Sequence, residues 1–416
     1  MASAKLDHRE LYRLPWSLSD NVISWLEPTK QCNIQCDGCY SANHAGSHKS
    51  LQQISEDLDV FERYRQTDAV SVAGGDPLTH PEIVEVVRTI ASRRLKPVVN
   101  TNGFAMTLEL LRSMKAAGLR GVTFHVDSLQ RRPGWTGKSE TELNALRQQF
   151  ADMVAEVGGI SCAFNATVYE KTLPLVGDVV DWARRNPSKV QVVVFIAFRT
   201  TTEDGRFDYY AGGEKVSTRE LVYVGGRPER TDISAREIAG AIQERFPAFQ
   251  PAAYLNGTEQ PDAFKWLMTL LLNDGEDFVG SVGPRFVELT QVANHLVNGR
   301  YLGYVGPEVM RRAKLLLPLG ALDRGLRGAA GRWLSRALRD PRRLARPLYL
   351  QSVLIIQPVD LLADGRASMC DGCPDMTVHG GELVWSCRLE ERLQFGQWIR
   401  PVPRGRGTRG ADGAPG

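Results

Sequence analysis

Seven cysteines occur in the 416 residues, and six of them fall into two short runs. Cys32, Cys36 and Cys39 follow the spacing C-x3-C-x2-C, while two residues separate Cys370 from Cys373 and thirteen separate Cys373 from Cys387. An odd count in two tight groups is not the pattern of a disulfide framework, and reduced thiolates ligating metal fit it better. A [4Fe–4S] cluster ordinarily takes four thiolates. Three closely spaced cysteines would therefore leave one iron free to bind a small molecule, and radical chemistry can begin there. The alternative for either group is a structural zinc site, completed by His44 or His48 in the first and by His379 in the second. Cys162 stands alone in an apolar strand pattern and reads as a buried core thiol, with fourth-ligand duty as the lesser option.

These groups need elements to position them. From about residue 21 to 200, apolar β-branched runs alternate with helical patterns, the signature of βα units around a parallel sheet. Six strands are predicted, at Val22–Glu27, Ala69–Gly74, Pro97–Thr101, Gly121–Asp127, Ser161–Val168 and Lys189–Phe198. Helices are predicted at Ser55–Arg65, Pro81–Arg93, Leu108–Ala117, Ser139–Val157 and Leu173–Arg185, with capping-box patterns at Thr79-x-x-Glu82 and Ser139-x-x-Glu142. Six units are too few to close an eight-stranded barrel, so an open, partial barrel follows. The first cysteine group then lies directly after strand one, at the mouth formed by the strand C-termini. Gly74-Gly75-Asp76-Pro77 follows strand two and Asn100-Thr101-Asn102-Gly103 follows strand three; His125 and Asp127 end strand four, and Asn165 and Thr167 end strand five. One mouth collects them all.

In that order the segments resemble the radical S-adenosylmethionine superfamily over about residues 20 to 200. The resemblance implies an α/β fold, a partial (βα)6 TIM-like barrel. Its catalytic cluster, on Cys32, Cys36 and Cys39, would bind S-adenosylmethionine. Reductive cleavage would give methionine and a 5′-deoxyadenosyl radical that takes hydrogen from a substrate. Gly74, Gly75 and Asp76 would receive the methionine amino group, and Asn100, Thr101, Asn102, His125, Asp127, Asn165 and Thr167 would contact ribose or substrate. Two departures stand out. Gly38 replaces the usual aromatic before the third cysteine, with Tyr40 after it as the substitute cofactor contact, and Asp76 replaces the commoner Glu. The Cys370, Cys373, Cys387 spacing is similar to the C-terminal cluster of the GTP-cyclising radical enzymes, so a second [4Fe–4S] cluster is expected. The long intervening segment and an Ala414-Pro415-Gly416 end in place of a Gly-Gly tail argue against that particular activity. An oxygen-sensitive enzyme with a flavodoxin- or ferredoxin-type reductant is implied; the other reading is a non-catalytic iron–sulfur or zinc scaffold.

The remaining chain divides into an N-terminal extension (1–20), the barrel core (21–200), a mostly helical pocket segment (201–347), a C-terminal cysteine module (348–400) and a disordered tail (401–416). Thr200 to Arg230 reads as a hairpin or loop, and Ser234-x-x-Glu237 opens a helix. Further helices are expected from Asp262 to Asn298, and Leu348–Val359 reads as a buried strand. From Arg311 to Arg346 eleven Lys or Arg face only Asp323 and Asp340. That segment is either a face for anionic lipid or phosphate or a solvated helical pair around a small core of Leu322, Leu326, Trp333, Leu334 and Leu338. With 43% hydrophobic and 24% charged residues and a net charge of +3, nothing global points to nucleic acid. No apolar run of about 18 residues reads as membrane-spanning, and the first twenty residues are too polar for a secretory signal. A cytoplasmic protein acting on a small molecule, lipid or peptide is expected, with peripheral membrane contact open.

Overall fold

The computed structural model describes residues 6–199, 206–218, 221 and 230–404. A short strand, β1 (Tyr12–Arg13), precedes the βα series. The series runs β2 (Ile23–Thr29), α1 (Leu51–Tyr64), β3 (Ala69–Gly74), α2 (Ile83–Ser92), β4 (Lys96–Thr101), α3 (Leu108–Ala116), β5 (Gly121–His125), α4 (Asn144–Val157), β6 (Ser161–Val168), α5 (Val176–Arg185) and β7 (Val192–Ala197). The six strands pair in parallel and in sequence order, as a partial (βα)6 barrel requires.

Side chains alternate across each strand. Val70, Val72, Val122, Phe124, Phe164 and Phe195 face the helices and pack with Ile54, Val87, Leu111 and Val180. The opposite register therefore turns Trp25, Ser71, Asn100, Thr123, His125, Asn165 and Thr167 toward the lumen, which is polar. Cys162 lies on the helix side and is fully buried, the core thiol expected.

Helix α1 starts at a capping box: Ser50 Oγ accepts from Gln53 N at 3.2 Å and Gln53 Oε1 accepts from Ser50 N at 2.8 Å. Ser139 and Glu142 bond reciprocally as expected, although the helix itself begins at Asn144. The Thr79–Glu82 box does not form. Thr79 Oγ1 instead donates to the carbonyls of Gln31 and Asp76, and α2 starts without a side-chain cap.

After β7, a hairpin of β8 (Phe207–Ala211) and β9 (Glu214–Lys215) occupies part of the Thr200–Arg230 segment; residues 200–205, 219–220 and 222–229 lie outside the described set. Helix α6 (Ala235–Arg245) has the predicted Ser234–Glu237 capping box. The expectation of helix from Asp262 onward then fails over its first part, while helix still outweighs strand across the described residues of 201–347. Residues 253–281 form β10 (Ala253–Leu255), β11 (Trp266–Asn273) and β12 (Phe278–Ser281). An apolar run such as Trp266 to Leu272, interrupted only by Thr269, carries no period that separates a buried strand from a buried helix. The Asn273-Asp274-Gly275 turn that ends it was the available sign of a strand.

Helices α7 (Pro284–Asn298), α8 (Pro307–Met310) and α9 (Arg324–Arg339) follow, with a 3₁₀ segment at Ala313–Ala321. Strand β13 (Tyr349–Ile356) then enters the main sheet, parallel to β7 and antiparallel to β11, so the sheet order is β1-β10-β11-β13-β7-β6-β5-β4-β3-β2. The cysteine module begins only beyond it, with β14 (Asp360–Leu361), β15 (Ala367–Ser368), β16 (Met376–His379), β17 (Glu382–Trp385), α10 (Leu389–Phe395) and β18 (Arg400–Pro403). Because β18 pairs with β8, the first residues assigned to a disordered tail are ordered. Residues 405–416 of that tail lie outside the described set.

Candidate functional site

The loop after β2 carries Cys32, Cys36 and Cys39 and is stapled to the end of β3. Asp76 N and Thr79 Oγ1 both donate to the Gln31 carbonyl, and Asn43 accepts from Cys32 N while donating to Cys32 O. Backbones approach so closely here that only glycine fits. A Cβ on Gly75 would stand 2.2 Å from Gln31 O, and one on Gly74, whose φ is +102°, would stand 2.4 Å from Thr29 O. The two glycines thus hold the cysteine loop against β3.

Burial pushes all three thiols upward, Cys39 to about 11. For Cys36 the charges of Asp127, Cys39 and Cys32 add to burial. Asn102 Nδ2 donates to Cys32 Sγ at 3.6 Å. Arg132, which sequence reading did not single out, is buried beside this group; it donates to Gln130 Oε1 and the Asn102 carbonyl, and its charge opposes the upward shift of Cys36.

Asp76 is 1% exposed and its carboxylate is fully engaged inside the fold. It accepts from Leu78 N, Thr101 Oγ1 and Asn102 N at 2.8–2.9 Å. It is the tie between the β3 and β4 loops. His125 Nε2 lies 2.7 Å from Asp127 Oδ2 and 3.3 Å from Thr167 Oγ1. Burial alone would raise the Asp127 pKa, but the His125 contact together with the backbone N–H groups of Leu129 and Thr167 holds the carboxyl below its ordinary value. His125 pairs across the ladder with Asn165, and Asn100 with Thr123. Asn100 Nδ2 and Asn165 Oδ1 are buried without any hydrogen-bond partner, which leaves a donor and an acceptor on the lumen face for a ligand.

Tyr40 takes a different direction. Its neighbours are Glu27, Trp25, Cys39 and Asp375, so it lies between the two cysteine groups. The space beside Gly38 is filled instead by Phe198, whose Cε2 is 2.2 Å from where a Gly38 Cβ would be. Phe198 packs on Tyr169, ring centroids 4.9 Å apart, and the Tyr169 hydroxyl donates to the Asp37 carbonyl. Tyr304, from the loop before α8, brings its hydroxyl beside Ser71 and Thr123 in the lumen. Neither Phe198 nor Tyr304 carried a motif signal.

Cys370, Cys373 and Cys387 converge on the far side of Tyr40. Each of Cys373 and Cys387 feels the charge of Cys370, and burial drives Cys387 to about 12. Arg65, 3% exposed, donates to the carbonyls of Cys373 and Ile23, and burial lowers its pKa to about 10. Asp375 is pushed up to about 7 by burial. Around this group the orphaned buried atoms are mostly donors: Trp16 Nε1, Arg65 Nε and Nη1, Trp385 Nε1 and Ser368 Oγ. Donors without acceptors fit a group rich in sulfur acceptors, such as an iron–sulfur cluster, better than a single zinc ion. His379 faces Arg392, Lys49 and Lys30 and is not gathered with the thiols, and His44 is exposed at the edge of its loop. Among the described residues no three His, Cys, Asp or Glu side chains close around one ion.

Residues 26–157 match the radical SAM superfamily, so this part of the chain is a radical SAM domain. Among curated proteins it is similar to the probable GTP 3′,8-cyclase of Methanocaldococcus jannaschii, 23% identical over 187 residues, which are 41% of this chain and 58% of that protein. It is also similar to the AdoMet-dependent heme synthase of Methanosarcina barkeri, 27% identical over 108 residues, which are 26% of this chain and 31% of that protein. A solved structure of Streptococcus suis SuiB bound to S-adenosylmethionine aligns with a TM-score of 0.39 at 14% identity, over 55% of this chain and 48% of SuiB. The chain thus spans under two thirds of the length of these relatives.

Proposed function

We propose that the protein is a radical S-adenosylmethionine enzyme, with a [4Fe–4S] cluster held by Cys32, Cys36 and Cys39 and a second on Cys370, Cys373 and Cys387. The observation that carries the reading is the first thiol trio, locked by the Gly74-Gly75 contact at the mouth of a lumen whose Asn100 and Asn165 have unmet hydrogen-bonding groups. When bound and reduced, the cluster supplies the electron that cleaves the sulfonium to methionine and a 5′-deoxyadenosyl radical.

The chain's own residues would do the rest. Asn102 tunes Cys32 through its N–H···S contact, and Arg132 offsets the negative charge of the thiolates. Asp76 shapes the turn that presents Gly74 and Gly75, while His125, held by Asp127, offers a polar edge to ribose or substrate. Phe198 supplies the ring that position 38 lacks. The substrate would be a small molecule, lipid or peptide, and its hydrogen would be taken in the lumen that Asn100, Asn165 and Tyr304 line.

The test is anaerobic reconstitution, iron analysis, and 5′-deoxyadenosine formation with dithionite and S-adenosylmethionine. Nucleoside from the wild type and none from Cys36→Ala, with the fold kept, supports the enzyme. Iron without nucleoside at any substrate tried returns the chain to the scaffold reading. About eight irons per chain supports two clusters, and about four supports one.

A further inference from the structure

The six most exposed large hydrophobic residues of the described chain all lie between residues 296 and 338: Leu296, Val297, Val309, Leu315, Leu322 and Leu338, from 61% to 80% exposed. A small internal core for the basic segment would have buried Leu322, Leu334 and Leu338. It buries only Leu326 and part of Trp333, and the other three face solvent. Helix α9 turns its small residues toward β12, and a Cβ on Gly280 would touch Ala329 at 2.6 Å. Its leucines are left on the outer side.

The cations follow the same division. Arg336, Arg343 and Arg346 reach Asp274, Glu276 and Asp277. Arg311, Arg312, Arg324, Arg339 and Arg342 are exposed and have no carboxylate partner among the described residues. The 3₁₀ segment packs against α9 and meets α7 along a groove of about 260 Å³ lined by Phe286, Leu289, Leu319 and Leu322. The three pieces therefore adjoin on one side of the molecule.

We propose that this face docks on an anionic phospholipid bilayer. A soluble protein does not ordinarily leave leucines and valines this exposed in one region. Apolar side chains interleaved with unpaired arginines match the two layers a membrane surface presents, acyl chains below and phosphates above. No described helix is long and apolar enough to cross a membrane, so the contact lies in the interface. It places the barrel beside the bilayer and does not depend on the radical reaction.

The experiment is co-sedimentation of the full chain with vesicles of phosphatidylcholine alone, and of phosphatidylcholine with phosphatidylglycerol, at low and high salt. Binding is expected only to the mixed vesicles and weakens as salt screens the charges. Arg339→Gln and Arg342→Gln should each weaken it about fivefold, which is about 1 kcal/mol per cation. Leu315→Gln with Leu338→Gln should remove it, while the unfolding midpoint stays that of the wild type because these side chains are exposed. No pelleting with anionic vesicles at low salt overturns the proposal. So does pelleting that the arginine variants and the leucine pair all leave unchanged, or a wild-type dimer in sedimentation velocity that the leucine pair dissolves without any vesicle binding.

Discussion

Cys36 is held well above the ordinary thiol range by burial and by the charges of Asp127, Cys39 and Cys32, and that has a measurable consequence. The nucleophile in alkylation is the thiolate, so a raised pKa keeps the reactive fraction small to higher pH. In the metal-free protein, alkylation at positions 32, 36 and 39 should keep rising about tenfold per pH unit through pH 9, where an ordinary thiol levels off. Mass spectrometry of the labelled cysteines reads this, and a plateau at pH 9 would contradict the burial of the loop. Metal binding must expel the same protons, so iron uptake should speed up as pH rises over that range. Asp76 makes a second residue-level case. Asp76→Ala strands Leu78 N, Thr101 Oγ1 and Asn102 N, and should cost about 2–4 kcal/mol in urea unfolding. Asp76→Asn keeps one acceptor oxygen and should lose less. Equal losses would mean that the contacts to Thr101 and Asn102 contribute nothing.

At the scale of elements, β3 and β6 were readable to the residue, because β3 is an apolar, valine-containing run closed by Gly74-Gly75 and β6 is a run of alternating apolar residues opened by Gly158-Gly159. The cysteine loop, the Gly74-Gly75 turn and the His125–Asn165 ladder followed from them. What escaped was long-range. Strand β13 inserts beside β7 from more than 150 residues away, and nothing local to Leu350–Ile355 announces that partner. Arg65 and Arg132 likewise look like surface cations until the fold buries them. Insertion of β13 is secured by Gln351, whose Nε2 donates to the carbonyls of Ala183 and Val190 while its Oε1 accepts from Asn273. Gln351→Leu leaves those groups buried and unmet, and should cost about 2–4 kcal/mol. A loss under about 0.5 kcal/mol by the same urea measurement would show that pairing with β7 and β11 alone fixes this strand. Gly75→Ala acts differently: it pushes Gln31 away and should cut iron bound at the first site while cooperative unfolding persists.

Across the whole molecule the two cysteine groups are joined by one buried lysine. Lys30, two residues before Cys32, lies 2.8 Å from Glu27 on β2 and 2.9 Å from Glu390 in α10, and Glu390 also accepts from Ala42 N in the cysteine loop. Burial works against the Lys30 charge, yet the two carboxylates outweigh it and raise its pKa. The C-terminal module is therefore clamped onto the loop that holds the first trio. Lys30→Met keeps the stem packing but leaves Glu27 and Glu390 buried without their cation, and breaking a buried pair from one side costs about 3–5 kcal/mol. The expected result is a loss of that size in urea unfolding together with less iron at both cysteine groups after reconstitution, because the loop and the module are released together. Should only the C-terminal iron fall, the module docks through Lys30 while the first trio is shaped by the Gly74-Gly75 contact alone. If stability and both iron contents stay at wild-type values, the two groups are independent and the clamp has no structural role.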